Sequence, residues 1–81
     1  MNIIILRRAQ KQLEKMEAKT KTRIIDGLHG LREIPPVGDI ERIKGKNHEY
    51  RLRIGRYRIL FTFDNTKITI YDIGSRGDIY K

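Results

Sequence analysis

The feature that most constrains this chain is a change of hydrophobic period across Pro35-Pro36. Before the prolines, apolar residues recur three and four positions apart. Ala9, Leu13 and Met16 share one helical face, and Ile24, Ile25, Leu28 and Leu31 share another. After the prolines the period is two. Tyr50, Leu52 and Ile54 alternate with Arg51 and Arg53, while Tyr57, Ile59, Phe61 and Phe63 alternate with Arg58, Leu60 and Thr62. Strands grouped after helices indicate an α+β fold: an antiparallel helical hairpin packed on one face of a small antiparallel sheet.

The remaining elements follow from local chemistry. Asn2 to Arg7 is β-branched and apolar at its centre and reads as a buried opening strand. Thr20 is placed to cap the second helix, Gly27 and Gly30 weaken that helix by roughly 1 kcal/mol each, and Pro35-Pro36 ends it. Ile40 and Ile43 mark a short strand before a Gly45-Lys46-Asn47 turn. Gly55-Arg56 is a tight turn, Asp64-Asn65-Thr66-Lys67 a hairpin loop, Ile68 to Ile73 the last strand, and Gly74-Ser75-Arg76-Gly77 an irregular segment. Eighty-one residues accommodate one core, so residues 1–81 are expected to form a single domain.

Charge narrows the function. Eighteen Lys and Arg against ten Asp and Glu give a net charge of +8, which suits a polyanionic partner. Between residues 42 and 58, Arg42, Lys44, Lys46, Arg51, Arg53, Arg56 and Arg58 face only Glu49. Arginine fits phosphate in a bidentate way that lysine does not. There is no cysteine, which excludes disulfides, thiolate metal sites and a cysteine nucleophile. His29 and His48 make no metal-ligand motif, so no metal and no cofactor is expected. Ile3 to Leu6 is too short an apolar run for a signal peptide, and no run approaches a membrane span. A cytoplasmic protein without membrane association is expected.

If the two arginine-bearing strands pair across Gly55-Arg56, their apolar sides face the helices and Arg51, Arg53 and Arg58 project together from the other side. Cross-strand neighbours are ~5 Å apart at Cβ, so unpaired guanidiniums there repel one another unless an anion lies between them. The alternative is three arginines fanning into solvent with screened repulsion.

At these residues the chain resembles the RelE/ParE superfamily of bacterial and archaeal toxin–antitoxin toxins. The resemblance runs along essentially the whole chain. It rests on the opening strand and helical pair, Ile43-Lys44-Gly45, Tyr50-Arg51-Leu52-Arg53, Gly55-Arg56-Tyr57-Arg58-Ile59-Leu60-Phe61, and Ile73-Gly74-Ser75-Arg76-Gly77-Asp78-Ile79-Tyr80-Lys81. It implies the toxin of a type II toxin–antitoxin pair, with the RelE-like branch favoured. That branch consists of ribosome-dependent, metal-independent mRNA endoribonucleases that inhibit translation. The ParE-like branch, which poisons DNA gyrase, and a catalytically silent nucleic-acid binder are the alternatives.

The resemblance implies a catalytic set of Arg51, Arg53, Arg58, Arg76 and Tyr80. In such a reaction the 2′-OH of RNA attacks the adjacent phosphate, and guanidiniums stabilise the growing charge on the phosphorane oxygens. RelE-like relatives carry lysines where Arg51 and Arg53 stand, and many carry a histidine where Ser75 stands. Arginine stays protonated, so Tyr80, its phenol acidified by Arg76 or Arg58, is the base candidate. Lys44, Lys46, Arg56, His48 and Lys81 are the expected RNA-binding residues. The implied partners are an antitoxin encoded by a neighbouring gene, the ribosome and mRNA.

Overall fold

The computed structural model describes residues 2–46 and 48–75. The order of elements is β1 (Asn2–Ile5), α1 (Arg7–Glu14), α2 (Ala18–Gly30), β2 (Asp39–Arg42), β3 (Glu49–Ile54), β4 (Tyr57–Phe63) and β5 (Lys67–Ser75). The strands make one sheet in the order β1-β5-β4-β3-β2. The expected α+β architecture is present, with α1 packed on β5 and α2 on β3.

One pairing departs from the antiparallel expectation. β1 runs parallel to β5, with Ile3 opposite Ile68 and Ile5 opposite Ile70. Parallel neighbours need a long crossover, and everything from α1 to β4 lies between these two. β1 is therefore a sheet edge rather than a buried strand, and Ile4 is exposed.

The core is the helix-facing side of the sheet. Leu52, Ile59, Phe61, Ile68, Ile70 and Ile73 are buried there against Ala9, Leu13, Ile24, Leu28 and Leu31. Each such aliphatic side chain contributes about 1.5–3 kcal/mol by leaving water. Tyr50 stacks on Phe61 at 5.6 Å and meets Phe63 edge-on at 6.3 Å, closing one end of the core.

Period two holds along β3 and β4 but slips once in β5. Phe61 pairs with Ile70 and Leu60 with Asp72, so Tyr71 is the extra residue of a bulge. The slip returns Ile73 to the core side. Gln12 of α1 holds it there: its Oε1 accepts from the Ile73 N–H at 2.6 Å, and its Nε2 donates to Asp72 at 2.8 Å.

Helix boundaries also differ from expectation. Glu17, not Thr20, precedes the first residue of α2, and no side chain caps it. The helix ends at Gly30, well before Pro35, because the chain folds back there: the Gly30 carbonyl accepts from Glu33 and Val37. The α2 glycines are there for close approach. A Cβ on Gly27 would overlap Ile54 Cδ1, and one on Gly30 would sit 2.6 Å from the Val37 carbonyl oxygen.

β2 stops at Arg42, leaving Ile43 outside it, and β5 runs on through Gly74 and Ser75 rather than becoming irregular there. Asn47, Arg76, Gly77 and the segment Asp78 to Lys81 lie outside the described residues. Among the described residues no helix is long and apolar enough to cross a membrane.

Candidate nucleic-acid interface

The site is built on the β3–β4 hairpin. Its two-residue loop, Gly55-Arg56, turns tightly because Gly55 adopts φ 59, a conformation L side chains rarely take. That loop sets the register: Arg53 stands directly opposite Arg58, and Arg51 opposite Leu60. Residues paired across a ladder share a face, and Leu52 and Ile59 are buried on the helix side. Arg51, Arg53 and Arg58 therefore share the outer side, as expected.

The arginines are not uncompensated, however. β2 adds a row of carboxylates beside β3, with Asp39 opposite Arg53 and Glu41 opposite Arg51. Glu41 forms a hydrogen-bonded ion pair with Arg51 and lies 3.9 Å from Arg53, while Asp39 is 3.8 Å from Arg53. These carboxylates precede residue 42 in sequence, which is why a tally over residues 42–58 finds only Glu49. Exposed pairs of this kind contribute about 0–1 kcal/mol each, so the ladder tempers repulsion more than it stabilises the fold. The hydrogen bond and charge of Arg51, with smaller effects of Arg53 and Arg58, hold the Glu41 carboxyl below its ordinary range.

Arg58 differs from the other two. Its Nε is buried and has no hydrogen-bond partner among the described residues. A buried donor left unsatisfied costs about 1–3 kcal/mol. Its strand position faces Arg53, which adds like-charge repulsion to that cost.

Next to Arg51 the outer face opens into a cavity of about 580 Å3. Arg42, Lys44, Lys46 and Arg51 line it together with the carboxylates of Glu41 and Glu49, and Ile43, Leu60 and Tyr71 supply its apolar and aromatic parts. The Tyr71 hydroxyl donates to Glu49 at 2.8 Å. Burial first, and then the hydrogen bond to Glu49 and its charge, push this phenol above its ordinary value.

Other expected residues lie elsewhere. Arg56 is exposed at the hairpin tip, near Arg23 of α2 and away from the cavity. His48 is exposed just before β3 in the left-handed region, at φ 64, and does not line the cavity. Its carbonyl accepts from Phe63 N–H, which ties the start of β3 to the end of β4. Arg76, Tyr80 and Lys81 lie outside the described residues.

Sequence reasoning missed Glu41, Asp39 and Tyr71. The alternation Asp39-Ile40-Glu41 beside an arginine strand was a readable signal for the first two.

Residues 3–80 match a family model described as the ParE toxin of the type II toxin–antitoxin system, parDE. No protein of curated function matches the sequence. Among solved structures, the chain is similar to one in the RelB-RelE antitoxin-toxin complex from Methanococcus jannaschii, at 25% identity and a TM-score of 0.77, covering 95% of this chain and 94% of that one. A chain of the archaeal RelE-RelB complex from Pyrococcus horikoshii OT3 is 23% identical, with TM-score 0.76 and 94% of each chain covered. The YoeB dimer from Staphylococcus aureus is 20% identical, with TM-score 0.72, covering 89% of this chain and 92% of that one. At those identities the last two show likeness of fold.

Proposed function

We propose that this chain, which belongs to the ParE toxin family of type II toxin–antitoxin systems, is a ribosome-dependent mRNA endoribonuclease, with residues 1–81 acting as one toxin domain in the cytoplasm. The observation that carries this reading is Arg53 facing Arg58, with Arg51 on the same side at the mouth of a lysine-rimmed cavity.

In the proposed reaction the 2′-oxygen bonds to the adjacent phosphorus while the bond from phosphorus to the 5′-oxygen breaks. The leaving 5′-oxygen takes its proton from solvent water, so the products carry a 2′,3′-cyclic phosphate and a free 5′-OH. The guanidiniums of Arg51, Arg53 and Arg58, joined by Arg76, stabilise charge on the phosphorane oxygens. Lys44 and Lys46 hold the backbone without reading sequence. Arg56, His48 and Lys81 extend the basic surface around this centre.

Two groups are candidates for taking the 2′-OH proton. Tyr80 is one. Glu41 is the other, being the carboxylate within the arginine cluster. While paired with Arg51 it is a weak base, because its pKa is depressed. A substrate phosphate that engages Arg51 removes the main cause of that depression and raises Glu41 towards a useful value.

The partner chemistry follows from the same surface. The similar chains from Methanococcus jannaschii and Pyrococcus horikoshii sit in antitoxin complexes. A flexible, acidic antitoxin segment would find a +8 toxin a favourable electrostatic target.

A second reading, inhibition of DNA gyrase, is favoured by the family model's own description and by the carboxylates that already neutralise Arg51 and Arg53. Purified chain incubated with mRNA-programmed ribosomes separates the two. Ribonuclease action gives cuts confined to the A-site codon, with cyclic phosphate ends, absent without ribosomes and absent with Arg58→Ala. Intact mRNA together with inhibited gyrase supercoiling supports the second reading.

A further inference from the structure

The outer cavity contains an aromatic side chain that the proposed chemistry leaves unused. Tyr71 belongs to β5, yet its hydroxyl reaches Glu49 on β3 at 2.8 Å. β4 lies between those strands. Two inter-strand spacings amount to ~9–10 Å, which a side chain standing upright on the sheet does not cross. The side chain therefore leans across β4, and Tyr71 and Leu60 both line the cavity. The bond to Glu49 fixes it there. Burial and Glu49 keep the phenol protonated through the physiological range, so the anchor persists.

Cations are in excess around it: Arg42, Lys44, Lys46 and Arg51 line the same cavity with the carboxylates of Glu41 and Glu49, and its volume of about 580 Å3 is that of a small-molecule site. An anchored aromatic side chain in a cavity where cations outnumber carboxylates fits a flat aromatic group joined to a phosphate.

We propose that Tyr71 is the stacking platform for one nucleobase of the RNA strand, positioning the neighbouring phosphate against Arg51. This rests on the RNA-cleaving reading above and adds a substrate contact to it. A stacked base contributes sequence-tolerant affinity, so Tyr71 serves to hold the strand rather than to select a base.

The test uses the purified chain and two fluorescently labelled oligoribonucleotides of equal length, one complete and one abasic throughout. Wild type is expected to bind the complete strand at least about fivefold more tightly, the lower end of what one base–aromatic stack contributes. Tyr71→Leu, which keeps the apolar bulk if Tyr71→Ala fails to fold, is expected to remove that ratio. Salt dependence of binding should stay as in wild type, since no cation is lost. Tyr71→Phe is expected to keep most of the ratio, having the ring without the anchor. A ratio unchanged in a folded Tyr71→Leu overturns the platform. So does a wild type that binds both strands equally and in a salt-dependent way, a result that leaves the RNA reading standing. Absence of binding to either strand also overturns the platform, while the RNA reading itself stands or falls on the cleavage assay with programmed ribosomes.

Discussion

The two faces of the sheet are written in the same strands, one residue apart, and obey different physics. Towards the helices, Leu52, Ile59, Phe61, Ile68, Ile70 and Ile73 are buried. Away from them, Arg51, Arg53 and Arg58 crowd together, partly neutralised by Asp39 and Glu41, with one buried donor of Arg58 left unpaired among the described residues. The inner face lowers free energy by removing apolar area from water. The outer face keeps like charges close, an arrangement that stability alone would select against. The difference teaches that the helix side determines whether the chain folds, while the arginine side is the surface on which the proposed function rests.

The comparison breaks most visibly at neighbouring positions of β4. Ile59→Ala is expected to destabilise by about 2–5 kcal/mol through the cavity it leaves, read as a lowered denaturation midpoint. Arg58→Ala, one residue away, is expected to reduce cleavage by about 10²–10³-fold, as removal of one oxyanion-stabilising donor does elsewhere. Its denaturation midpoint should hardly move, since the substitution also removes an unsatisfied donor. Equal losses of stability in the two variants would erase the distinction between the faces.

Gly27→Ala tests how closely α2 sits on the inner face. Its Cβ would overlap Ile54, so a loss of about 1–3 kcal/mol is expected despite alanine's better helix propensity. An unchanged or raised midpoint would show that the helix has room.

Glu41→Gln sharpens the outer face. With one neutralising carboxylate gone, RNA should bind more tightly at low salt, with a log–log salt slope steeper by up to about 0.7. Cleavage should fall at the same time if Glu41 is the base, giving opposite signs for binding and rate in one variant.

The smallest effect is on pH. Glu41 is depressed by its arginines, and Asp64 by the backbone N–H groups of Thr66 and Lys67 and the Thr66 hydroxyl. Lowered folded-state values mean that both contributions are complete above the ordinary carboxylate range near pH ~4 and are lost as pH falls through the depressed values. Urea midpoints measured down through that window should decline less in Asp64→Asn than in wild type.

Much of this was legible before the structure. The switch from helical spacing to alternation at Leu52, Ile54, Ile59 and Phe61 carries the α+β architecture, because burial of one face imposes the period. The Gly55-Arg56 loop carries the register that sets Arg53 against Arg58. What stayed hidden depends on partners distant in sequence. β1 beside β5 requires the crossover to be known, and Asp39 and Glu41 become arginine partners only once β2 lies next to β3. Gly27 reads as a weak point of its helix until Ile54 is found against it. The spacing Ile68, Ile70, Ile73 did contain the bulge at Tyr71, as a single break in an otherwise even period. The reach of Tyr71 to Glu49 across β4 had no counterpart in sequence.

The most direct test of the central claim is primer extension on a reporter mRNA after brief expression of the chain alone, beside an Arg58→Ala control. The account predicts sharp cuts within translated codons that vanish when ribosomes cannot load and vanish in the variant. Intact mRNA in growth-arrested cells, or the same cuts with Arg58→Ala, would contradict it.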